Sequence, residues 1–329
     1  MPPKKKRTMH GPLSSLDSLT VNFGSGNAHV LNVILAFVMF GVALDIKMGE
    51  LKNVFYKPKP LILGLVGQLI LVPGITFCLA AIFYKQITLP VAIGMILVAA
   101  CPGGNMSNFM SSLARANTAL SVGLTGINTA IAFIATPFNF AFWGGLYIRY
   151  LGKRSSEMLQ PLEIDMWHML FTLVILLVLP LFAGIIFSRL CPKLKEKVVK
   201  PFKIFSIIAF AAILCIALAN NLDNFINHLG YIFIIVLIHN GLIILAGAGW
   251  SRLFGFSLRD RMTIAIEMGI QNSGLGLALL LNPKIFPEGS IKGGTLFVVA
   301  WWGIWHIISG FLTAYIGRRK IKQTTNFEQ

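Results

Sequence analysis

The chain has 329 residues, of which 56% are hydrophobic and only 12% charged, with a formal net charge of +16. Soluble domains average roughly 25% charged and 45–50% apolar residues, and a water-soluble fold cannot hide the apolar excess seen here. A cytosolic or secreted protein, a disordered chain, a collagen and a disulfide scaffold are therefore excluded, and lipid is the solvent.

In chain order, residues 1–27 form a polar tail with a Lys4-Lys5-Lys6-Arg7 run and no apolar region of the kind a signal peptide carries. Nine apolar stretches follow, segments I to IX, at 28–45, 59–84, 88–113, 117–148, 164–190, 201–222, 229–251, 262–282 and 293–317. Each approaches or exceeds the roughly 20 residues needed to cross a bilayer. Segment IV is long, and an interfacial turn is expected near Trp143. The expected fold is an all-α polytopic membrane protein of about nine transmembrane helices. Cys78, Cys101, Cys191 and Cys215 are scattered without a CxxC pair, and three of them lie in apolar runs as small core hydrophobes. Trp143, Trp250, Trp301, Trp302 and Trp305 suit interfacial anchoring or helix packing.

Orientation follows from the basic residues. Loops near 46–58, 114–116, 191–203 and 252–261 and the tail from 318 carry about three times as many Lys and Arg as the loops between them. That side is expected to be cytoplasmic, which puts the C-terminus inside and the N-terminus outside a multi-pass cell-membrane protein. The charge then faces the anionic lipids of the cytoplasmic leaflet. This explains it better than nucleic acid does, and no obligate protein partner is inferred.

Two segments are interrupted. Segment III contains Cys101-Pro102-Gly103-Gly104-Asn105-Met106-Ser107-Asn108, where Pro102 removes a helical donor and two glycines follow. Segment VIII contains Glu267-Met268-Gly269-Ile270-Gln271-Asn272-Ser273-Gly274. Irregular backbone at membrane depth survives only where protein or water satisfies it. The two segments are five spans apart and run in opposite directions, as in an inverted repeat of triplets II–III–IV and VII–VIII–IX with the binding site between them. Gln68 in II and Asn240 in VII are further amides at membrane depth.

Glu267 is the one acidic residue well inside a span, and no Lys or Arg lies equally deep. A charge at the bilayer centre costs about 2.5–3.5 kcal/mol on insertion scales. Glu267 is therefore neutralised by a proton or matched by a cation. Gln271 follows it by four residues and shares its face if the helix persists. Ser121 and Thr125 are also four apart, and Ser107, Asn108 and Gln68 add further oxygens. Hydroxyls, amides, one carboxylate and freed carbonyls suit a hard cation. A proton-coupled carrier or a sodium/proton antiporter is the alternative within transport. An intramembrane hydrolase using Ser107 with His239 or His306 is the enzymatic one; the chain has neither a GxSxG elbow nor an HExxH motif.

The CPGGN-x-SN run at 101–108, the Leu120-Ser121…Thr125 pair, the E-x-G-x-QN run at 267–272 and the Gln68…Pro73 spacing together resemble the bile acid:sodium symporter family, over about residues 28–317. The resemblance implies a ten-helix fold, or nine helices without the first. It implies a panel domain from 28–58 and 149–228 (I, V, VI) and a core or transport domain from 59–148 and 229–317, with 318–329 a cytoplasmic tail. It further implies two co-transported Na⁺. One would be held by Ser107, Asn108, Ser121, Thr125 and Glu267, the other by Gln68, Glu267, Gln271 and the carbonyls of Met268 and Ile270. A small organic anion, either a bile-acid-like steroid or a carboxylate related to pantothenate, is expected near Asn272 and His306. The Trp305-His306-Ile307-Ile308-Ser309-Gly310 run is similar to a family WHN-x-SG stretch, with Ile307 in place of the asparagine. The implied activity is sodium-coupled import by alternating access, not catalysis.

Overall fold

The computed structural model describes residues 25–45, 58–104, 106–154, 165–219, 222–282, 284–286 and 293–327. Most of the predicted N-terminal tail with its Lys4–Arg7 run, Asn105 of the first interruption, and residues 46–57, 155–164 and 287–292 lie outside them. Eleven helices run through the described residues: α1 Ser25–Asp45, α2 Pro58–Ile82, α3 Leu89–Ala100, α4 Met106–Leu113, α5 Thr118–Gly152, α6 Met166–Leu190, α7 Pro192–Ala219, α8 Leu222–Leu253, α9 Leu258–Gly269, α10 Ser273–Leu280 and α11 Gly293–Phe327. Among these residues the extended backbone amounts to one isolated bridge. Among the described residues five helical stretches are long and apolar enough to cross a membrane: Pro58–Ile82, Thr118–Gly152, Met166–Leu190, Gly230–Leu253 and Gly293–Thr324. The protein is an all-α, multi-pass membrane protein.

Helix starts follow local chemistry. Asn117, Asp165, Ser257 and Asn272 each accept a hydrogen bond from a backbone N–H of the first turn, at α5, α6, α9 and α10 respectively. The backbone N–H of His168, before its imidazole, holds the exposed Asp165 carboxyl below the usual carboxylate range.

Two long helices contain a π-helical turn, Gly67–Leu71 in α2 and Val174–Val178 in α6. Each ends two residues before a proline, Pro73 and Pro180. A proline ring clashes with the carbonyl four residues back, and one extra residue in the turn relieves the clash without ending the helix.

Three expected boundaries move. No turn forms at Trp143, because the buried stripe Phe140, Gly144, Tyr147 and Leu151 continues at helical spacing and carries α5 on to Gly152. Trp143 packs on Phe77 at 5.8 Å instead. The loop expected near 191–203 is the first part of α7, whose Lys and Glu residues are good helix formers and need no lipid to stay helical. The tail from 318 begins as helix, with the Arg319 guanidinium 4.6 Å from the Tyr315 ring.

Packing is pairwise and close. α1 lies against α6 and α7, α8 against α9 and α11, and α3 against α11, while α5 touches α2, α3, α4 and α6. Small residues permit the close approaches, as is usual between helices in lipid. A Cβ on Gly184 of α6 would sit 2.5 Å from the Ala43 Cβ and 2.7 Å from the Phe40 carbonyl oxygen of α1. Gly184→Ala is therefore expected to push α1 from α6 and to cost about 1–3 kcal/mol, read as a lower melting temperature in detergent. An unchanged melt would mean that this contact is loose.

Candidate functional site

The two interruptions meet. α3 ends at Ala100 and α9 at Gly269, and the segments that follow run past each other in antiparallel fashion through a bridge between Gly103 and Gln271. Gly104 N donates to the Ile270 carbonyl at 2.7 Å, and Asn272 N to the Pro102 carbonyl at 2.9 Å. Ser107 N closes the entry to α4 by donating to Gly104 O at 3.0 Å. Backbone groups that would be intolerable in lipid are thus satisfied by the opposite break. Both glycines are required by proximity. A Cβ at Gly103 would lie 2.4 Å from Glu267 Oε1, and one at Gly104 would lie 2.8 Å from the Gln271 carbonyl oxygen.

Around this crossing two oxygen-rich clusters form. In the first, Glu267 is 1% exposed and receives three hydroxyl donors: Ser107 Oγ at 2.5 Å, Thr125 Oγ1 at 2.8 Å and Ser121 Oγ at 3.3 Å. Asn108 Oδ1 lies 3.2 Å from Thr125 Oγ1, and Ser107 Oγ also lies 3.2 Å from it. Thr125 has one hydroxyl proton for Glu267 and Asn108 together, so oxygen lone pairs outnumber the protons available to them. Among the described residues no Lys, Arg or His forms an ion pair with Glu267. Ionised without a partner, that carboxylate would cost several kcal/mol. A small cation placed among these six oxygens would offset the charge and use the surplus lone pairs at once.

In the second cluster Gln68, carried by the π turn of α2, donates from Nε2 to Gln271 Oε1 at 2.7 Å and to the Cys101 carbonyl at 3.2 Å. Gln271 Nε2 donates to the Met268 carbonyl at 2.6 Å. The condition on which Glu267 and Gln271 would share a helical face, an unbroken helix between them, is not met. α9 stops at Gly269, the register is lost through Ile270, and Gln271 swings to Gln68 while Glu267 stays with the hydroxyls.

The anticipated substrate contacts are placed differently. Asn272 sits at the crossing, half-buried, with Oδ1 engaged by Leu275 N at 3.0 Å as the cap of α10. His306 is buried on α11, and no hydrogen bond among the described residues joins it to either cluster. His239 is not near-neighbour chemistry for Ser107. Its Nε2 lies 2.6 Å from Thr76 Oγ1 and its ring stacks edge-on against Trp302 at 4.6 Å. The Thr76 hydroxyl also lies 2.8 Å from the Val72 carbonyl, so its one proton serves either that oxygen or His239 Nε2. Among the described residues no histidine is hydrogen-bonded to Ser107, whose hydroxyl donates to Glu267.

Sequence reasoning missed two participants, the Cys101 carbonyl and Asn128, and singled out Asn240 only as an amide at membrane depth. The Cys101 carbonyl is freed only because α3 ends there. Asn240 Nδ2 ties α8 to the end of α9 through the Gly269 carbonyl at 2.6 Å. Asn128 faces the interior three residues after Thr125, and its helical spacing from Ser121 and Thr125 is the signal that could have found it.

Comparison with known proteins places these residues in context. A model of the "Sodium Bile acid symporter family" matches residues 32–228. The "Uncharacterized sodium-dependent transporter YocS" of Bacillus subtilis (strain 168) is 31% identical over 293 residues, covering 89% of this chain and 84% of that protein. The "Probable sodium/metabolite cotransporter BASS1, chloroplastic" of Oryza sativa subsp. japonica is 29% identical over 260 residues, 74% of this chain and 56% of its own length. The similarly named BASS6 of Arabidopsis thaliana is 29% identical over 258 residues, 74% and 58%. The chain thus spans a little over half the length of these chloroplast relatives.

Proposed function

The chain belongs to the sodium bile acid symporter family, and from that premise we propose that it is a sodium-coupled symporter importing a small organic anion. It is a membrane transporter and not an enzyme. The observation that carries the reading is the buried Glu267 carboxylate, surrounded by Ser107, Ser121 and Thr125 hydroxyls and with no basic partner among the described residues.

Ser107, Asn108, Ser121, Thr125 and Glu267 supply the oxygens for one sodium ion. Gln68, Gln271, Glu267 and the Met268 and Ile270 carbonyls supply those for a second. Sodium is cargo here, and a site of neutral oxygens around a single carboxylate binds it reversibly. The substrate carboxylate or sulfonate belongs at the crossing, near Asn272 and on the cavity side of His306. The N-termini of α4 and α10 both open there, and the positive ends of their helix dipoles favour an anion. The helices around the crossing (α2 to α5 and α8 to α11) act as an inverted-repeat core. It rocks against a panel of α1, α6 and α7, so that the site faces each side of the membrane in turn. The chain sits with α11 ending in the cytoplasm, its Arg318, Arg319 and Lys320 beside anionic lipid headgroups.

Two sodium ions entering with one monoanion move a net charge of +1, worth about 2.3 kcal/mol per 100 mV. In proteoliposomes, a screen of carboxylates and sulfonates is expected to find a monoanion whose uptake needs sodium and generates inward current. Sodium-dependent uptake that ignores voltage would reduce the stoichiometry to one ion. Uptake that ignores sodium and collapses with the pH gradient would put a proton on Glu267 in place of the metal.

A further inference from the structure

Beside the Gln68 cluster lies a cavity that neither proposed ion site uses. It is bounded by Gln68 of α2, by Cys101 and Pro102 of the first interruption, and by Asn128, Ala132 and Thr136 of α5. Its volume is about 10 Å³ for the centre of a water-sized sphere, roughly what one buried water needs. Its wall is not apolar. Asn128 is 1% exposed with neither amide atom hydrogen-bonded, and Thr136, also 1% exposed, has no partner for Oγ1. Two turns of helix separate these two residues, so both face the same space. Unpaired polar atoms in such a place are costly, and α5 could have carried Leu and Val there at no loss of helix.

The neighbouring cluster is short of free oxygens. Gln271 Oε1 accepts from Gln68, the Met268 carbonyl from Gln271, and the Ile270 carbonyl from Gly104, while both Glu267 oxygens accept hydroxyls. A cation arriving at Gln68 competes with all of these and gains from any ligand on its other side.

We propose that the cavity binds one water molecule that completes the coordination of a sodium ion at Gln68, and that Asn128 and Thr136 are the residues that hold this water. The inference rests on the sodium reading above. Water suits the donor set better than a bare second cation does, because the Asn128 amide presents an N–H₂ as well as an oxygen and a cation satisfies only the oxygen. Asn128 and Thr136 are then positioning residues that set sodium affinity without touching the metal.

The test uses purified full-length protein, with ²²Na⁺ equilibrium binding and melting curves in sodium and in choline buffer. The variants are Asn128→Leu and the near-isosteric Thr136→Val, alongside Glu267→Gln. If the two α5 side chains hold a water ligand, each variant melts in choline no lower than wild type, because the apolar side chain that replaces the polar one needs no partner. Each nonetheless loses at least half of the sodium-induced rise and binds ²²Na⁺ roughly tenfold more weakly. Wild-type binding with both variants unchanged overturns the water ligand alone. Absence of ²²Na⁺ binding by wild type overturns the sodium reading and this inference with it. Thr136→Val decides the matter if Asn128→Leu does not fold.

Discussion

Glu267→Gln is expected to reduce sodium-dependent uptake to background while leaving the amount of protein in the membrane unchanged. The carboxylate is the one anion in its cluster, and an ion about 4 Å from it gains roughly 4 kcal/mol at an effective dielectric constant near 20. Losing that term weakens sodium binding by about a thousandfold. Folding should survive, because the amide oxygen still accepts a hydroxyl and the Ser107, Ser121 and Thr125 hydroxyls can rotate to new partners. Removing the side chain altogether, as in Glu267→Ala, opens a void among those hydroxyls and confuses stability with binding. Comparing uptake with surface-labelled protein measures the effect. Full sodium-dependent activity of the Gln variant would mean that the counter-charge lies elsewhere.

The second large effect is expected from a single methyl group. Gly103→Ala places a Cβ 2.4 Å from Glu267 Oε1 and 3.0 Å from its Cδ, separations that force something to move. The backbone at Gly103 is pinned by the crossing, with the bridge to Gln271 and the flanking hydrogen bonds from Gly104 N to Ile270 O and from Asn272 N to Pro102 O. The carboxylate therefore yields. Turning it from Ser107 and Thr125 disassembles the oxygen cluster without removing any of its members. The sodium concentration for half-maximal uptake should rise at least tenfold, about 1.4 kcal/mol, with less change in the melting curve than in sodium affinity. Gly145, by contrast, has nothing within 4 Å of its would-be Cβ, and Gly145→Ala serves as the matched control. Equal behaviour of the two variants would show that the close approach at Gly103 is not functional.

The difference between these glycines could not be read from the chain. Gly103 stands out in sequence because Pro102 precedes it and a second glycine follows. What its missing side chain makes room for is a residue 164 positions later. Ser121 and Thr125 were legible as partners because a continuous helix preserves its period, and both donate to the same carboxylate. Whether Gln271 shares the face of Glu267 was not legible, because it depends on the helical period continuing across Gly269, where α9 ends. The π turn that carries Gln68 was equally hidden, although Pro73 shows afterwards why α2 needs one. The end of α5 was misread for the opposite reason. Trp143 looks interfacial by residue type, yet Phe140, Tyr147 and Leu151 keep a buried stripe running past it.

By itself the sequence determined the solvent, the broken segments and the inventory of polar groups that have no business in lipid. Each of these is a property of composition or of local backbone chemistry: apolar excess, proline without a donor, glycine without a side chain, a lone carboxyl. Only the tertiary structure decided which of those groups meet. It crossed the two breaks so that each satisfies the other's backbone, sent Glu267 to hydroxyls and Gln271 to an amide, and left Asn128 facing a cavity. Helical periodicity fixes direction only within an unbroken helix; past a break, direction is set by contacts with residues more than a hundred positions away.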